Sequence, residues 1–197
     1  MVEQIPPYNQ LDTVYILPPN YDRVGTLYLF LSQENTTATY PNNETKTIIA
    51  GREYGFSKRL QATVIRSADP ILMTSYALEY VRNPEERAYW TVVPGVNQYL
   101  PRYKVMIPNG WDKHYVALMI RKSAVGGLRV NDQSIDTNTI RFEENVFVED
   151  LEYSVIIAEV REGELTLESI DDTPFGLMAY GNREHGGYGF AGNVVLR

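Results

Sequence analysis

Only two histidines, His114 and His185, occur in this chain of 197 residues, and cysteine is absent. Without Cys there is no thiol nucleophile, no Cys-zinc site and no iron–sulfur cluster. General-base and metal chemistry need a His beside a partner. His114 follows Asp112-Lys113 ahead of an apolar run, and His185 lies in a glycine-rich stretch. No His-Glu-x-x-His, Gly-x-Ser-x-Gly or Gly-Lys-Ser/Thr pattern is present. Gly187-Tyr188-Gly189-Phe190-Ala191-Gly192 fits Gly-x-Gly-x-x-Gly. That fingerprint works by opening a helix onto a pyrophosphate, whereas Asn193-Val194-Val195-Leu196 reads as a strand, so no cofactor is assigned.

Carboxylates stand in pairs at Glu85-Glu86, Glu143-Glu144 and Asp171-Asp172. Neighbours on a strand point to opposite faces, so these pairs do not converge on one scissile bond. Asp171-Asp172 before Thr173-Pro174 reads as a turn. Asp132 and Asp136 could join loop carbonyls around calcium, but not at EF-hand spacing, and no metal site is assigned. No catalytic residue emerges.

What remains is binding chemistry. Tyr99, Tyr103, Trp111, Tyr180, Tyr188 and Phe190 offer flat apolar rings, several with a polar tip, suited to protein or sugar contact. Of these, Tyr188, Tyr180 and Trp111, together with His185, are the candidate ligand-binding residues. Asn35-Thr36-Thr37 and Asn43-Glu44-Thr45 are N-glycosylation sequons, which makes Asn35 and Asn43 candidate acceptors in a secreted chain.

The net charge of −7 and pI near 4.9 argue against phosphate-backbone or anionic-lipid partners. No apolar stretch approaches membrane-spanning length. No charged-then-apolar leader opens the chain. An extracellular placement therefore implies a signal peptide lying outside this sequence.

These residues must be positioned by strands. Fifteen tyrosines and many β-branched residues favour sheets. Short apolar segments bounded by Pro, Gly, Asn or Asp predict strands at 13–17, 25–32, 36–40, 47–50, 62–66 and 71–77. In the second half they predict strands at 103–107, 115–121, 128–131, 139–142, 146–148, 153–160, 165–169, 175–180 and 193–196. Residues 82–89 read as a polar junction starting one helical turn at Pro84. No long helical periodicity appears.

The chain also repeats itself. Ala62–Ala77 and Thr166–Gly181 each hold an alternating run, an Asp-and-Pro break and a second apolar run reaching a Tyr. Leu27–Leu31 matches Tyr115–Ile120 in kind. Self-similarity of this sort predicts two copies of one β unit.

Leu165–Gly181, with its Pro174-Phe175-Gly176 and Tyr180-Gly181 steps, followed by Gly187–Gly192, resembles the end of the IgG Fc-binding protein N-terminal domain family. Val93-Pro94, Trp111, His114-Tyr115-Val116 and Ser67-Ala68-Asp69-Pro70-Ile71 are similar to its upstream steps. Phe190 stands where the family has Pro, and Gly187 where it has Ser. The resemblance implies an extracellular, all-β module of adhesive, mucus-associated or cell-surface proteins, without catalytic residues. Fc binding itself is not implied.

The expectation is an all-β chain of two tandem, jelly-roll-like β-sandwich units: a tail at 1–11, then units at 12–90 and 91–197. Its function is non-enzymatic adhesion to an extracellular protein or glycan at the cell surface. The alternatives are a structural subunit self-associating through strand edges as a homo-oligomer, and a glycan-active enzyme on a jelly roll.

Overall fold

A computed structural model describes residues 6–78, 89–183 and 186–192. The expected helical turn at Pro84, the expected strand at 193–196 and His185 lie outside the described residues. The chain is all-β, with several antiparallel sheets.

The first half is organised by β6 (Thr63–Leu78), a 16-residue strand serving two sets of partners. Its N-terminal part lies between β1 (Asp12–Leu17) and β3 (Thr36–Thr39), and β3 carries β4 (Thr45–Ile48) on its far side. Its C-terminal part lies between β2 (Gly25–Leu31) and β7 (Trp90–Val92), and β2 carries β5 (Glu53–Lys58). Sequence patterning predicted two strands broken at Asp69-Pro70. The structure instead runs one strand through the break. β1 pairs with Arg66 and then with Ile71, so the residues between them leave that ladder. Pro, which has no N–H to give, sits where no ladder bond is required.

The second half repeats the order of the first. β8 (Arg102–Ile107), β14 (Gly163–Ser169), β10 (Leu128–Val130) and β11 (Gln133–Ser134) lie in the order β11-β10-β14-β8, which mirrors β4-β3-β6-β1. β9 (Lys113–Arg121), β12 (Ile140–Val148), β13 (Leu151–Val160), β15 (Phe175–Arg183) and β16 (Gly186–Ala191) lie in the order β12-β13-β9-β15-β16. That mirrors β5-β2-β6-β7 with one strand, β12, added outside β13. The separately predicted strands at 139–142 and 146–148 are this single strand. β7 joins the first set of strands although it follows the junction in sequence.

One hydrogen-bond motif recurs with the strands. The Tyr15 hydroxyl accepts from the Asp12 N–H at 2.9 Å and donates to the Ile71 carbonyl at 2.5 Å. The Tyr103 hydroxyl accepts from the Leu100 N–H at 3.0 Å and donates to the Phe175 carbonyl at 2.5 Å. Each acceptor carbonyl belongs to the residue after the Asp-and-Pro break, Pro70 or Pro174. Each phenol therefore pins the entry of one strand to the point where the chain changes sheets. Tyr15→Phe and Tyr103→Phe are expected to destabilise the fold to a similar degree, by about 1–3 kcal/mol, because each leaves a buried N–H and carbonyl short of a partner. Urea titration of both variants checks this.

Packing follows from the alternation of side chains. In β9, Val116, Leu118 and Ile120 enter a cluster with Leu165 and Leu167 of β14 and Phe175 and Leu177 of β15. Tyr115, Ala117 and Met119 of the same strand enter another cluster. That cluster also contains Tyr15, Ile16, Tyr28, Phe30, Ile65 and Met73 of the first half. A strand with apolar partners on both faces reads as a continuous apolar run, as β9 does. One apolar cluster thus joins residues of both halves.

Polar bonds cross the same boundary. Glu144 accepts from the Ala62 N–H at 2.7 Å, and Tyr180 accepts from the Tyr21 N–H at 2.9 Å. The end of the expected tail is held as well, since the Gln10 carbonyl accepts from Gln98 Nε2 at 2.5 Å.

Candidate functional site

The C-terminal hairpin β15–β16 carries the richest group of partly accessible side chains. The sequence predicts no strand over the glycine-rich residues 187–192. They form most of β16, paired with β15 from Met178↔Ala191 to Arg183↔Gly186. Glycine serves packing here. A Cβ at Gly189 would lie 2.2 Å from the Tyr89 ring, and one at Gly181 would lie 2.4 Å from the Tyr188 ring. As part of a strand, the Gly-x-Gly-x-x-Gly segment lacks the strand-to-helix turn that holds a dinucleotide.

The absent side chain at Gly181 organises the site. His114 of β9 and Tyr188 of β16 are the residues opposite Gly181 on its two neighbouring strands. The Tyr188 ring can therefore lie across the glycine and reach His114, whose Nδ1 shares a 2.9 Å hydrogen bond with the Tyr188 hydroxyl. Trp111 meets Tyr188 edge-on at 5.3 Å between ring centroids, and Phe190 stacks on the other side at 6.1 Å. The Arg183 guanidinium lies 4.7 Å from the centre of the Trp111 ring. Trp111 itself is placed by the preceding Gly110, at φ +80°, and by the Asp112 N–H bonded to the Asn182 carbonyl. Trp111 and Tyr188 are half-buried, Arg183 is exposed and His114 is buried.

Burial raises the Tyr188 phenol well above its ordinary range, so it stays a neutral hydroxyl. Burial also lowers the His114 pKa, opposed by the charge of Glu162. The native imidazole is thus neutral to lower pH than in the unfolded chain. The unfolded chain takes up the proton first, so this group's contribution to stability falls as pH drops through the unfolded value near ~6.5. His114→Gln is expected to reduce the loss of stability between about pH 7 and pH 5, read from unfolding midpoints at each pH.

The candidate residues separate in space. Trp111 and Tyr188 come together in this group. Tyr180 does not: it points to the opposite side of β15, is 3 % exposed, and lies between Tyr89 and Tyr115 in the shared cluster. Tyr99 and Tyr103 are likewise buried. Asn35 and Asn43 are both exposed around the β3–β4 hairpin. Asn35 Oδ1 accepts from the Ala50 N–H at 2.9 Å, and Asn43, at φ +62°, closes the turn by bonding to the Tyr40 carbonyl.

Glu85-Glu86 lie outside the described residues, and four of the other carboxylates singled out have structural partners. Glu143 faces Lys122 while its neighbour Glu144 bonds Ala62 on the other side. Asp136 caps the short turn at Thr137–Thr139, and Asp171 bonds Ser169 and Thr173. Arg183 was not singled out from the sequence. Its signal was the alternation itself, since Gly181, Arg183 and the apolar Ala179 share one face of β15.

The geometry supplies aromatic area, one stacked cation and polar tips. Among the described residues, no helix is long and apolar enough to cross a membrane. A family model described as IgGFc binding protein matches residues 1–181. The chain belongs to the IgGFc binding protein family. The match spans both halves, including Trp111 and His114, and ends at Gly181. Arg183, Tyr188 and Phe190 follow immediately after it. No curated protein and no solved structure matches the chain.

Proposed function

We propose that this member of the IgGFc binding protein family is a non-enzymatic, extracellular adhesion module. In this reading it consists of two tandem β-sandwich units and engages a protein or glycan through the Trp111–Arg183–Tyr188 surface. The observation that carries the reading is the Arg183 guanidinium over the Trp111 ring, beside Tyr188 of the β15–β16 hairpin. Trp, Tyr and Arg dominate binding energy where they sit together in a water-excluding patch. Rings with polar tips suit a protein surface or a sugar face. The family's own description supports a protein partner.

This reading gives the hydrogen-bonded His114–Tyr188 pair a structural role, with the phenol held neutral by burial. Placement outside the cell rests on the family and agrees with a core that uses no cysteine.

The test is an array of secreted and surface proteins, immunoglobulin Fc among them, and of glycans. It is probed with wild type and with Trp111→Ala, each checked for native circular dichroism. A specific partner whose affinity falls at least about tenfold in the variant supports the assignment. A partner bound equally by both proteins removes this surface from the account.

A further inference from the structure

Beyond that surface, the two halves differ at one place with a functional consequence. β13 is covered on its outer edge by β12 from Leu151 to Ala158. Its counterpart in the first half, β5, pairs with β2 alone, and among the described residues nothing pairs with its other edge. A strand edge carries unpaired N–H and C=O groups that an extended chain can complete. We propose that β5 accepts an added antiparallel strand from a partner protein, in the position that β12 fills in the second half.

The side chains around β5 state what that strand should look like. Glu53, Gly55 and Ser57 are exposed and share the outward face of the sheet. Leu27 and Leu29 of β2 lie on the same face, half-buried, and belong to neither apolar cluster. They lean over Gly55: a Cβ there would lie 2.7 Å from Leu29 Cδ2 and 3.7 Å from Leu27 Cδ1. A large apolar side chain directly opposite Gly55 on the added strand would rest on these leucines, since opposed residues on one face lie within reach of each other.

Two positions along the same face stands the Glu53 carboxylate, which calls for a basic residue opposite it. Tyr54 and Phe56 face the other way, against the cluster that both halves share. The alternate positions of the incoming strand therefore extend a buried face and should be β-branched. The recognised segment is apolar, extended and aromatic at its centre, with Lys or Arg two residues towards its C-terminus.

The probe is the synthetic peptide Thr-Thr-Val-Phe-Val-Lys-Thr, titrated into the 15N-labelled chain and followed by NMR and fluorescence anisotropy. The expected result is saturable shifts in residues 53–58 and 27–29, unchanged in Trp111→Ala. Replacing the peptide Phe by Ala should weaken binding at least about tenfold. Replacing its Lys by Glu should also weaken it, and Glu53→Lys in the protein should restore binding to that altered peptide.

Three results would overturn the proposal. One is absence of shifts up to about 1 mM peptide. Another is shifts confined to other strands, or a charge swap that fails to restore binding. The third is dimerisation of the unliganded chain through β5 in light scattering, which would give the edge to a second copy. Because the peptide site and the Trp111 surface lie on different strands, failure of either leaves the other standing.

Discussion

Tyr180→Ala should destabilise the protein by about 3–5 kcal/mol, the range for removing a large aromatic from a packed interior. The ring is stacked on Tyr89 at 5.7 Å and lies against Tyr115 at 5.4 Å. Its hydroxyl accepts from the Tyr21 N–H of the first half. The substitution therefore opens a cavity in the cluster that both halves share and leaves a backbone donor short of its partner. Tyr180→Phe keeps the ring and should cost only about 1 kcal/mol. Denaturant titration with an unchanged slope and a lowered midpoint is the expected signature. The same variant distinguishes packing from recognition. A Tyr180→Ala protein that unfolds at the wild-type midpoint yet loses its ligand would make this tyrosine a contact residue.

Asp12→Ala should be nearly as costly, about 3 kcal/mol. Asp12 is 6 % exposed and its carboxylate is shared across the two halves. Oδ1 accepts from the Thr13 N–H at 2.7 Å and from Asn97 Nδ2 at 3.0 Å, while Oδ2 accepts from the Asn97 N–H at 2.7 Å. The loop around Asn97 begins at Gly95, where a Cβ would lie only 2.1 Å from that of Asp12. The glycine thus lets the loop approach the carboxylate, which accepts from donors of both halves. Removing it deletes three part-buried hydrogen bonds to a carboxylate, and bonds to charged groups are worth about 1.5–3 kcal/mol each where water is kept out and less where it is not. Gly95→Ala should lower the denaturation midpoint for the complementary reason, by driving the loop off its acceptor.

The repeat was legible because it was written in the residues that change sheets. The Asp-and-Pro breaks at Pro70 and Pro174 mark the same corner twice, and Tyr15 and Tyr103 hydrogen-bond to that corner in each half. β9 and β13 were plain in the sequence because burial on both faces leaves an unbroken apolar run. Besides the two-residue β11 (Gln133–Ser134), three strands were missed for separate physical reasons. β5 (Glu53–Lys58) is an edge strand whose glycine and terminal charges break the apolar alternation. β7 (Trp90–Val92) has only three residues and follows a polar junction. β16 holds three glycines, which weaken strand propensity but here let Tyr89 and Trp111 pack close to the backbone.

The candidate site was half visible. Trp111 and Tyr188 were identifiable as aromatic residues near glycine, but only the structure shows that Tyr188 reaches across Gly181 to His114 and meets Trp111 edge-on. Tyr180 belongs to the same sequence motif as the site and points away from it, because one step along a strand reverses the face.

The most direct test is the affinity of the chain for whichever partner the array returns, compared between wild type and a Trp111→Ala, Arg183→Ala double variant of equal stability. Arg183 is exposed and Trp111 half-buried, so together they should cost little folding energy. Binding weakened about a hundredfold or more, with unfolding unchanged, is the predicted result. Undiminished binding by a folded double variant would contradict the assignment of recognition to the β15–β16 hairpin.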